Sequence, residues 1–300
     1  MKLLVFGASG QVGWELQRAL QPLGEVVALQ RNAAGNAWHA DFAQPEALAR
    51  TIEAIRPDVI VNAAAYTAVD QAESEPALAE AVNARAPAVL ARAAAAHGAW
   101  LVHYSTDYVF DGSGDMARDE EAPVQPLSAY GRTKLAGEQA IRASGCRHLL
   151  LRTSWVYGAR GGNFAKTMLK LAATRERLAV VDDQVGAPTG AELLADVTAH
   201  AILAARSDPT LSGLYHVAPT GETTWHDYAV FVFAEARRRG AHLALAADGL
   251  TRIATRDYKT AAARPLNSRL DTRRFRERFH LTLPPWQTGV ARLLDEIALP

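Results

Sequence analysis

With a single cysteine, Cys146, in 300 residues, the chain has no internal disulfide available to it. Cys146 has no catalytic partner nearby in the sequence and reads as a small buried thiol. Neither sign of charge prevails: 32 basic residues face 32 acidic ones. No block of like charge stands out, which excludes a nucleic-acid surface or a polybasic membrane patch. The cluster Arg237-Arg238-Arg239 closes a helix-like stretch before Gly240, where cations suit the helix dipole. No apolar run approaches the length of a membrane span. The run Leu3–Phe6 is too short for the apolar core of a signal peptide and stops at a glycine loop. A cytoplasmic protein is expected. The histidines are scattered, without the pairing at four-residue spacing that zinc sites use. Neither a nucleophile elbow around a serine nor a Walker lysine is present.

What the chain does have is apolar content, 49% of its residues, enough for a substantial core. Its first half alternates strand-like and helix-like segments. Leu3–Phe6 is a continuous apolar run of the kind buried on both faces of a parallel sheet. Gln11–Leu23 has a helical apolar face (Val12, Leu16, Ala19, Leu20) and a stop at Gly24. Glu25–Leu29 predicts a second strand, and Pro45–Ile55 a helix that begins with a proline, whose missing N–H is harmless there. Asp58–Asn62 reads as strand, Ala77–His97 as one long alanine-rich helix, Trp100–Ser105 as strand, Ser128–Ser144 as helix and Leu149–Thr153 as strand. This alternation predicts a doubly wound parallel sheet, with residues 1–155 forming a dinucleotide-binding domain. Beyond residue 155 the pattern breaks into helices, short apolar pieces and Pro/Gly punctuation. A smaller α/β lobe over 156–300 is expected, with roughly 185–215 returning to the first domain.

Three local patterns carry chemistry. Gly7, Gly10 and Gly13 lie between a strand and a helix, where backbone N–H groups and the helix dipole can meet a pyrophosphate. Glycines allow the close approach a Cβ would block. At the end of the second strand, where an acid would hold the ribose of NADH, stand Gln30 and Arg31. With no carboxylate to repel a 2′-phosphate and a guanidinium to bind one, NADPH is the expected cofactor, with NADH possible. The bland alternative makes Arg31 the first solvated loop residue. Tyr130 and Lys134, four residues apart, share a helix face. A tyrosine titrates near pH ~10, and a neighbouring ammonium favours its phenolate and lowers that value. Thr106 ends the Leu101–Ser105 strand at the carboxyl edge where open α/β sheets bind ligands. Its hydroxyl is the candidate partner for a substrate carbonyl and for the tyrosine, with Ser105 as competitor.

Together these patterns resemble the extended short-chain dehydrogenase/reductase family. Further blocks carry the resemblance along nearly the whole chain: Val61-Asn-Ala-Ala-Ala65, His103-Tyr-Ser-Thr-Asp-Tyr-Val-Phe110, Arg152-Thr-Ser-Trp-Val-Tyr157, the stretch Asp183–Thr189 and the stretch Arg264–Leu270. Within the family they are similar to reductases of 4-keto-6-deoxy sugar nucleotides. The resemblance implies Tyr130 as proton donor, Lys134 as its pKa tuner and ribose ligand, and Thr106 as partner hydroxyl. It places Asp107 and Trp155 against the sugar nucleotide. It places Gly10, Gln11, Val12, Asp41, Phe42 and the turn Ala63, Ala64, Ala65 around the cofactor. It further implies a homodimer and a Mg²⁺ site with Glu15 and Glu192 as candidate ligands. Family members often carry an acid where this chain has Gln30. Dehydratases and epimerases share the fold and the tyrosine–lysine pair. A dehydratase places an acid after the Thr-Asp pair, and here Tyr108 takes that position. A non-catalytic nucleotide-sensing subunit would have lost the tyrosine or the lysine, and both are present.

Overall fold

The computed structural model describes residues 1–31 and 38–300. Six parallel strands form the central sheet: β1 (Lys2–Phe6), β2 (Glu25–Leu29), β3 (Val59–Asn62), β4 (Trp100–Thr106), β5 (His148–Thr153) and β6 (Gly213–His216). They lie in the order β6-β5-β4-β3-β1-β2, so the winding reverses between β1 and β3. At such a switch point two loops diverge and leave a crevice at the carboxyl ends of the strands. Here the diverging segments are the Gly7–Gly13 loop and the Ala63–Ala65 turn.

The strands read as continuous apolar runs because both faces are covered. On one side pack α2 (Glu46–Ile55), α3 (Ala86–His97) and α4 (Ala129–Ala143), and on the other α1 (Gln11–Leu20). Leu48, Ile52, Leu90, Ala94 and Ile141 from α2, α3 and α4 close over Leu4, Phe6, Ile60, Leu101 and Leu150. The free thiol of Cys146 is buried in the same layer, and burial pushes its pKa up. On the opposite face Leu16 and Leu20 of α1 meet Leu3, Val5 and Val61, together with Leu194, Ala201 and Ile202 from the much later helix Ala191–Ser207. That helix and β6 therefore belong to the sheet's own core. A third apolar cluster is separate: Phe164–Ala172, Trp225–Arg238 and Trp286–Glu296 pack Leu169, Tyr228, Val232, Phe233, Trp286 and Val290 together.

Two expectations about helices change. The first helix ends at Leu20 and tightens into a 3₁₀ turn over Gln21–Leu23 before Gly24. The long alanine-rich helix is interrupted: Pro76–Glu80 and Ala86–His97 are α-helical, but Ala81–Arg85 is a wide π-helical turn. Pro87 is the physical reason. It has no N–H to return to the carbonyl of Asn83 four residues back, and its ring would crowd that oxygen. The displaced Asn83 carbonyl points toward Gly137 of α4, where a Cβ would collide with it. Among the described residues no helix is long and apolar enough to cross a membrane.

Candidate active site

The glycine loop owes its shape to two close approaches. Gly7 has φ +81°, and a Cβ on it would stand 2.7 Å from the Ala63–Ala64 peptide. Gly13, inside α1, packs so tightly beneath the loop that a Cβ would run into the Gly7 carbonyl. At Gly10 a Cβ would stand 3.3 Å from the Gly7 carbonyl oxygen, and the residue lines two adjoining cavities. The smaller, about 260 Å³, is bounded by Gly7, Ser9, Arg31, Asp41, Phe42 and Ala64. Phe42 is buried edge-on against Phe6, and Asp41 accepts a hydrogen bond from the Ala43 amide at 3.0 Å. Gln30 is exposed and lines neither cavity.

The larger cavity, about 530 Å³, brings together Gln11, Val12, Ala63, Ala65, Thr106, Asp107, Tyr130, Lys134 and Trp155. Beyond Tyr108 and Trp225 it meets a third space of about 330 Å³ walled by Phe164, Met168, Val180, Tyr258 and Arg264. The result is a groove that crosses the carboxyl edge of the sheet and enters the third cluster.

Local sequence positions the tyrosine and lysine. Ser128 caps α4, its Oγ accepting from the Gly131 amide at 3.1 Å. Gly131 lets the Tyr108 carbonyl lie directly on the helix. Tyr108 then packs edge-on against Tyr130, ring centroids 5.5 Å apart. Thr106 ends β4 and hydrogen-bonds three ways. Its Oγ1 accepts from the Tyr108 amide at 3.1 Å, donates to Asp107 Oδ1 at 3.1 Å, and pairs with the Tyr130 hydroxyl. Ser105, its competitor, has a buried hydroxyl with no partner.

The electrostatics differ from the simple picture of an ammonium depressing a phenol. Burial pushes Tyr130 up to about 12, with the Thr106 hydrogen bond opposing and Asp107 adding. Lys134 is itself buried and lowered to about 8, with Glu138 opposing. Its Nζ donates to the Tyr104 carbonyl at 2.7 Å and lies 3.2 Å from His103 Nε2. Burial is therefore the largest influence on the tyrosine's proton. Asp107 is raised to about 6 by burial, against hydrogen bonds from Ser268 and Thr106.

Trp155 follows β5 with φ +49°, a left-handed conformation that costs a non-glycine residue on the order of 1 kcal/mol. The strain aims its indole at Trp225, on which it stacks at 3.7 Å and 18°. Phe164 leans on the same ring at 4.6 Å. Gln11 Oε1 accepts from Asn163 Nδ2 at 3.2 Å, tying the glycine loop to the segment that starts the third cluster.

Several residues of this site were not singled out from sequence. Asn83, on the π-helical turn, accepts from the Tyr66 amide at 2.9 Å and donates to the Tyr66 carbonyl and to Thr133 of α4. A proline inside a helical stretch was its signal. His103, a polar residue amid the apolar run of β4, and Asn62, closing β3, sit behind Lys134. Glu138 of α4 and Arg152 of β5 form a buried bidentate pair at 2.7 and 2.9 Å.

Glu15 and Glu192 lie away from this groove. Glu15 pairs with Arg18 at 3.2 Å. Glu192 borders a separate cavity with Tyr157, Trp286 and Arg292 and is pushed up to about 7, chiefly by burial. Among the described residues, the group that gathers three ligand atoms within 4.8 Å is Asp182, His226 and Asp227. Arg252 already neutralises both of its acids, at 2.6 and 2.8 Å.

A switch-point crevice with a glycine cradle, and at its mouth a half-buried tyrosine between the buried Thr106 and Lys134, define a nicotinamide-dependent oxidoreductase of the short-chain dehydrogenase/reductase type. The comparisons with known proteins narrow the class. The model of the RmlD substrate binding domain family matches residues 1–299, and the chain belongs to that family. It is 56% identical to a dTDP-4-dehydrorhamnose reductase of Shigella flexneri over 99% of this chain and 98% of that protein. A dTDP-4-dehydrorhamnose reductase from Clostridium acetobutylicum superposes with TM-score 0.85 at 34% identity, covering 98% of this chain and 99% of that one. One from Bacillus anthracis, solved in complex with NADP, has the same TM-score at 33% identity and the same coverage.

Proposed function

We propose that this chain is an NADPH-dependent reductase that converts the C4 ketone of dTDP-4-dehydro-β-L-rhamnose to the alcohol of dTDP-L-rhamnose. The observation that carries the reading is the contact of Tyr130 with Thr106 at the mouth of the groove, with Tyr108, not an acid, after Asp107. The residues fit the cofactor: a Cβ at Gly7 would fill the cradle, and Gly10, Gln11 and Val12 line the cavity beside Ala63 and Ala65. Arg31, Asp41 and Phe42 would hold the adenosine end, and the absence of an acid at Gln30 favours the phosphorylated nicotinamide. Bound NADPH supplies the hydride.

The chain's own residues manage the proton. A phenol held at about 12 stays protonated at neutral pH and is a donor, not a base. As negative charge develops on the C4 oxygen, Tyr130 transfers its proton to that atom, and Thr106 Oγ1 fixes the direction of transfer. Trp155 and Trp225 form the aromatic wall for the sugar nucleotide, and Arg264, in the adjoining space, offers the cation for its diphosphate. Dehydration needs a further acid next to Asp107, which Tyr108 does not provide. Glu15 and Glu192 are proposed as the acids that a Mg²⁺ ion would relieve, since Glu15 and Glu296 add to the rise at Glu192. A thermal shift with Mg²⁺ that survives Glu192→Gln removes that assignment.

The test of the activity is loss of reduced-nicotinamide absorbance, mole for mole with dTDP-4-dehydro-β-L-rhamnose. An epimerase would retain its cofactor and show no net loss. Tyr130→Phe should lower kcat by roughly 10²–10⁴-fold with the fold intact. A variant within about tenfold of wild type argues against the donor role.

A further inference from the structure

Behind Lys134 lies a chain of hydrogen bonds that leads away from the substrate groove. The Ala64 amide donates to Asn62 Oδ1 at 3.0 Å. Asn62 Nδ2 and His103 Nδ1 are 2.8 Å apart, and His103 Nε2 lies 3.2 Å from Lys134 Nζ. Asn62 and His103 are both only 1% exposed, so water does not substitute for any of these partners. The direction of each bond follows from the inventory of donors. The Ala64 N–H can only donate, so the Asn62 oxygen faces it and the Asn62 amide nitrogen faces the histidine. That nitrogen can only donate, so His103 Nδ1 accepts. A neutral imidazole then carries its proton on Nε2, pointing at the lysine nitrogen. An ammonium there would set one donor against another, whereas an amine has the lone pair to accept.

We propose that His103, locked in its Nε2–H tautomer by Asn62, is a positioning residue that presses Lys134 toward the neutral amine. The charged and titratable groups around Lys134 otherwise favour the cation weakly. Glu138, one turn along α4, is neutralised by Arg152 of β5. The Tyr104 carbonyl of β4 accepts from Nζ in either state. Tyr130, one turn back on α4, is kept neutral by burial, and Asp107 acts on the tyrosine. Burial of His103 and the field of Lys134 both hold the imidazole neutral, in keeping with the single-proton tautomer. The amine is thereby poised to take a proton from the water of the groove once Tyr130 has passed its own to the C4 oxygen, so that the phenolate gains a counter-ion. That last consequence rests on the reductase reading; the tautomer lock does not.

The experiment reads both groups directly, in the full chain without substrate. With ¹⁵N-labelled histidine, His103 should show the pattern of an Nε2–H tautomer. An Nδ1–H pattern overturns the proposal. With ¹³Cε-labelled lysine, Lys134 should titrate well below Lys2, Lys166, Lys170 and Lys259. Asn62→Asp turns the donor into an acceptor, so His103 should switch to Nδ1–H and the Lys134 midpoint should rise by at least about one pH unit. Because the new carboxylate also adds charge, the double variant Asn62→Asp/His103→Leu is the control. A rise that persists undiminished without the ring is a charge effect alone and overturns the proposal; a rise that collapses supports it. Failure of these spectra leaves the reductase assay untouched.

Discussion

Two cations are buried beneath the same groove and treated in opposite ways. Arg152 of β5 is 2% exposed and has Glu138 in a bidentate grip, with its guanidinium also over the Phe110 ring at 5.1 Å. Lys134 of α4 is equally buried, yet it is given a carbonyl and an imidazole, neither of them a counter-ion. The arginine's charge is fixed and its task is to join β5 to α4. The lysine's charge is left unsatisfied, and it stands where the chemistry happens. Functional sites hold groups at a cost that the surrounding structure absorbs, and here the paired and unpaired cations lie under one helix, α4, the first reaching it from β5 and the second facing β4.

The comparison breaks most visibly at the pair. Glu138→Gln leaves Arg152 charged and buried and should cost about 3–5 kcal/mol, read as a lower midpoint in denaturant. Replacing both partners, Arg152→Met with Glu138→Leu, should be close to neutral by the same measurement, since no charge is stranded. A single variant as stable as wild type would show the pair to be dispensable.

Lys134→Met should act the other way, abolishing reduction while raising stability. Folding lowers this lysine from 10.5 to about 8. The folded protein therefore binds fewer protons than the unfolded chain between those values, and wild-type stability rises as pH climbs through that window. Below it the penalty is complete. The methionine variant should gain up to about 3 kcal/mol near pH 7, with the gain fading toward pH 10.5. Denaturation midpoints at several pH values check both the sign and the window.

The smallest effect sharpens the contrast at a carboxylate. Glu192 is raised from 4.5 to about 7, so stability falls as pH rises through that range. Glu192→Gln should raise Tm by a few degrees at pH 8 and leave it unchanged below pH 4.5. Parallel Tm–pH curves for the two proteins would refute the assignment of burial as the cause.

What could be read from sequence was what is local. The strand–glycine–helix opening, the Thr106 strand end and the one-turn spacing of Tyr130 and Lys134 each occupy a few consecutive residues, and five of the six parallel strands follow from apolar runs, the sixth being a short piece whose place in the sheet only the fold shows. The rest depends on contacts between distant segments. Arg152 and Glu138 meet only because β5 lies beside β4 under α4. His103 looked like one scattered histidine among several until Asn62 and Lys134 closed on it from β3 and α4. Spacing makes Tyr130 and Lys134 neighbours but does not show burial, which is the largest influence on the proton of each. Trp155 was placed by resemblance, but its left-handed backbone and its stack on Trp225 needed the fold.

The widened turn at Ala81–Arg85 gives this helix a constraint on length beside the one that packing sets on its side chains. Each residue of an α-helix advances it by about 100°, so one surplus residue puts the faces before and after the turn out of phase. The upstream face carries Ala79 toward Ala72 and Ala129, while the downstream face carries Leu90 and Ala94 into the sheet layer. Removing one residue would smooth the rod and rotate one of these faces out of its contact, withdrawing Asn83 from Tyr66 and Thr133. The run is therefore held to its length as well as to its small side chains, since Ala79, Ala86, Ala91 and Ala94 are fully buried and leave no room for larger ones.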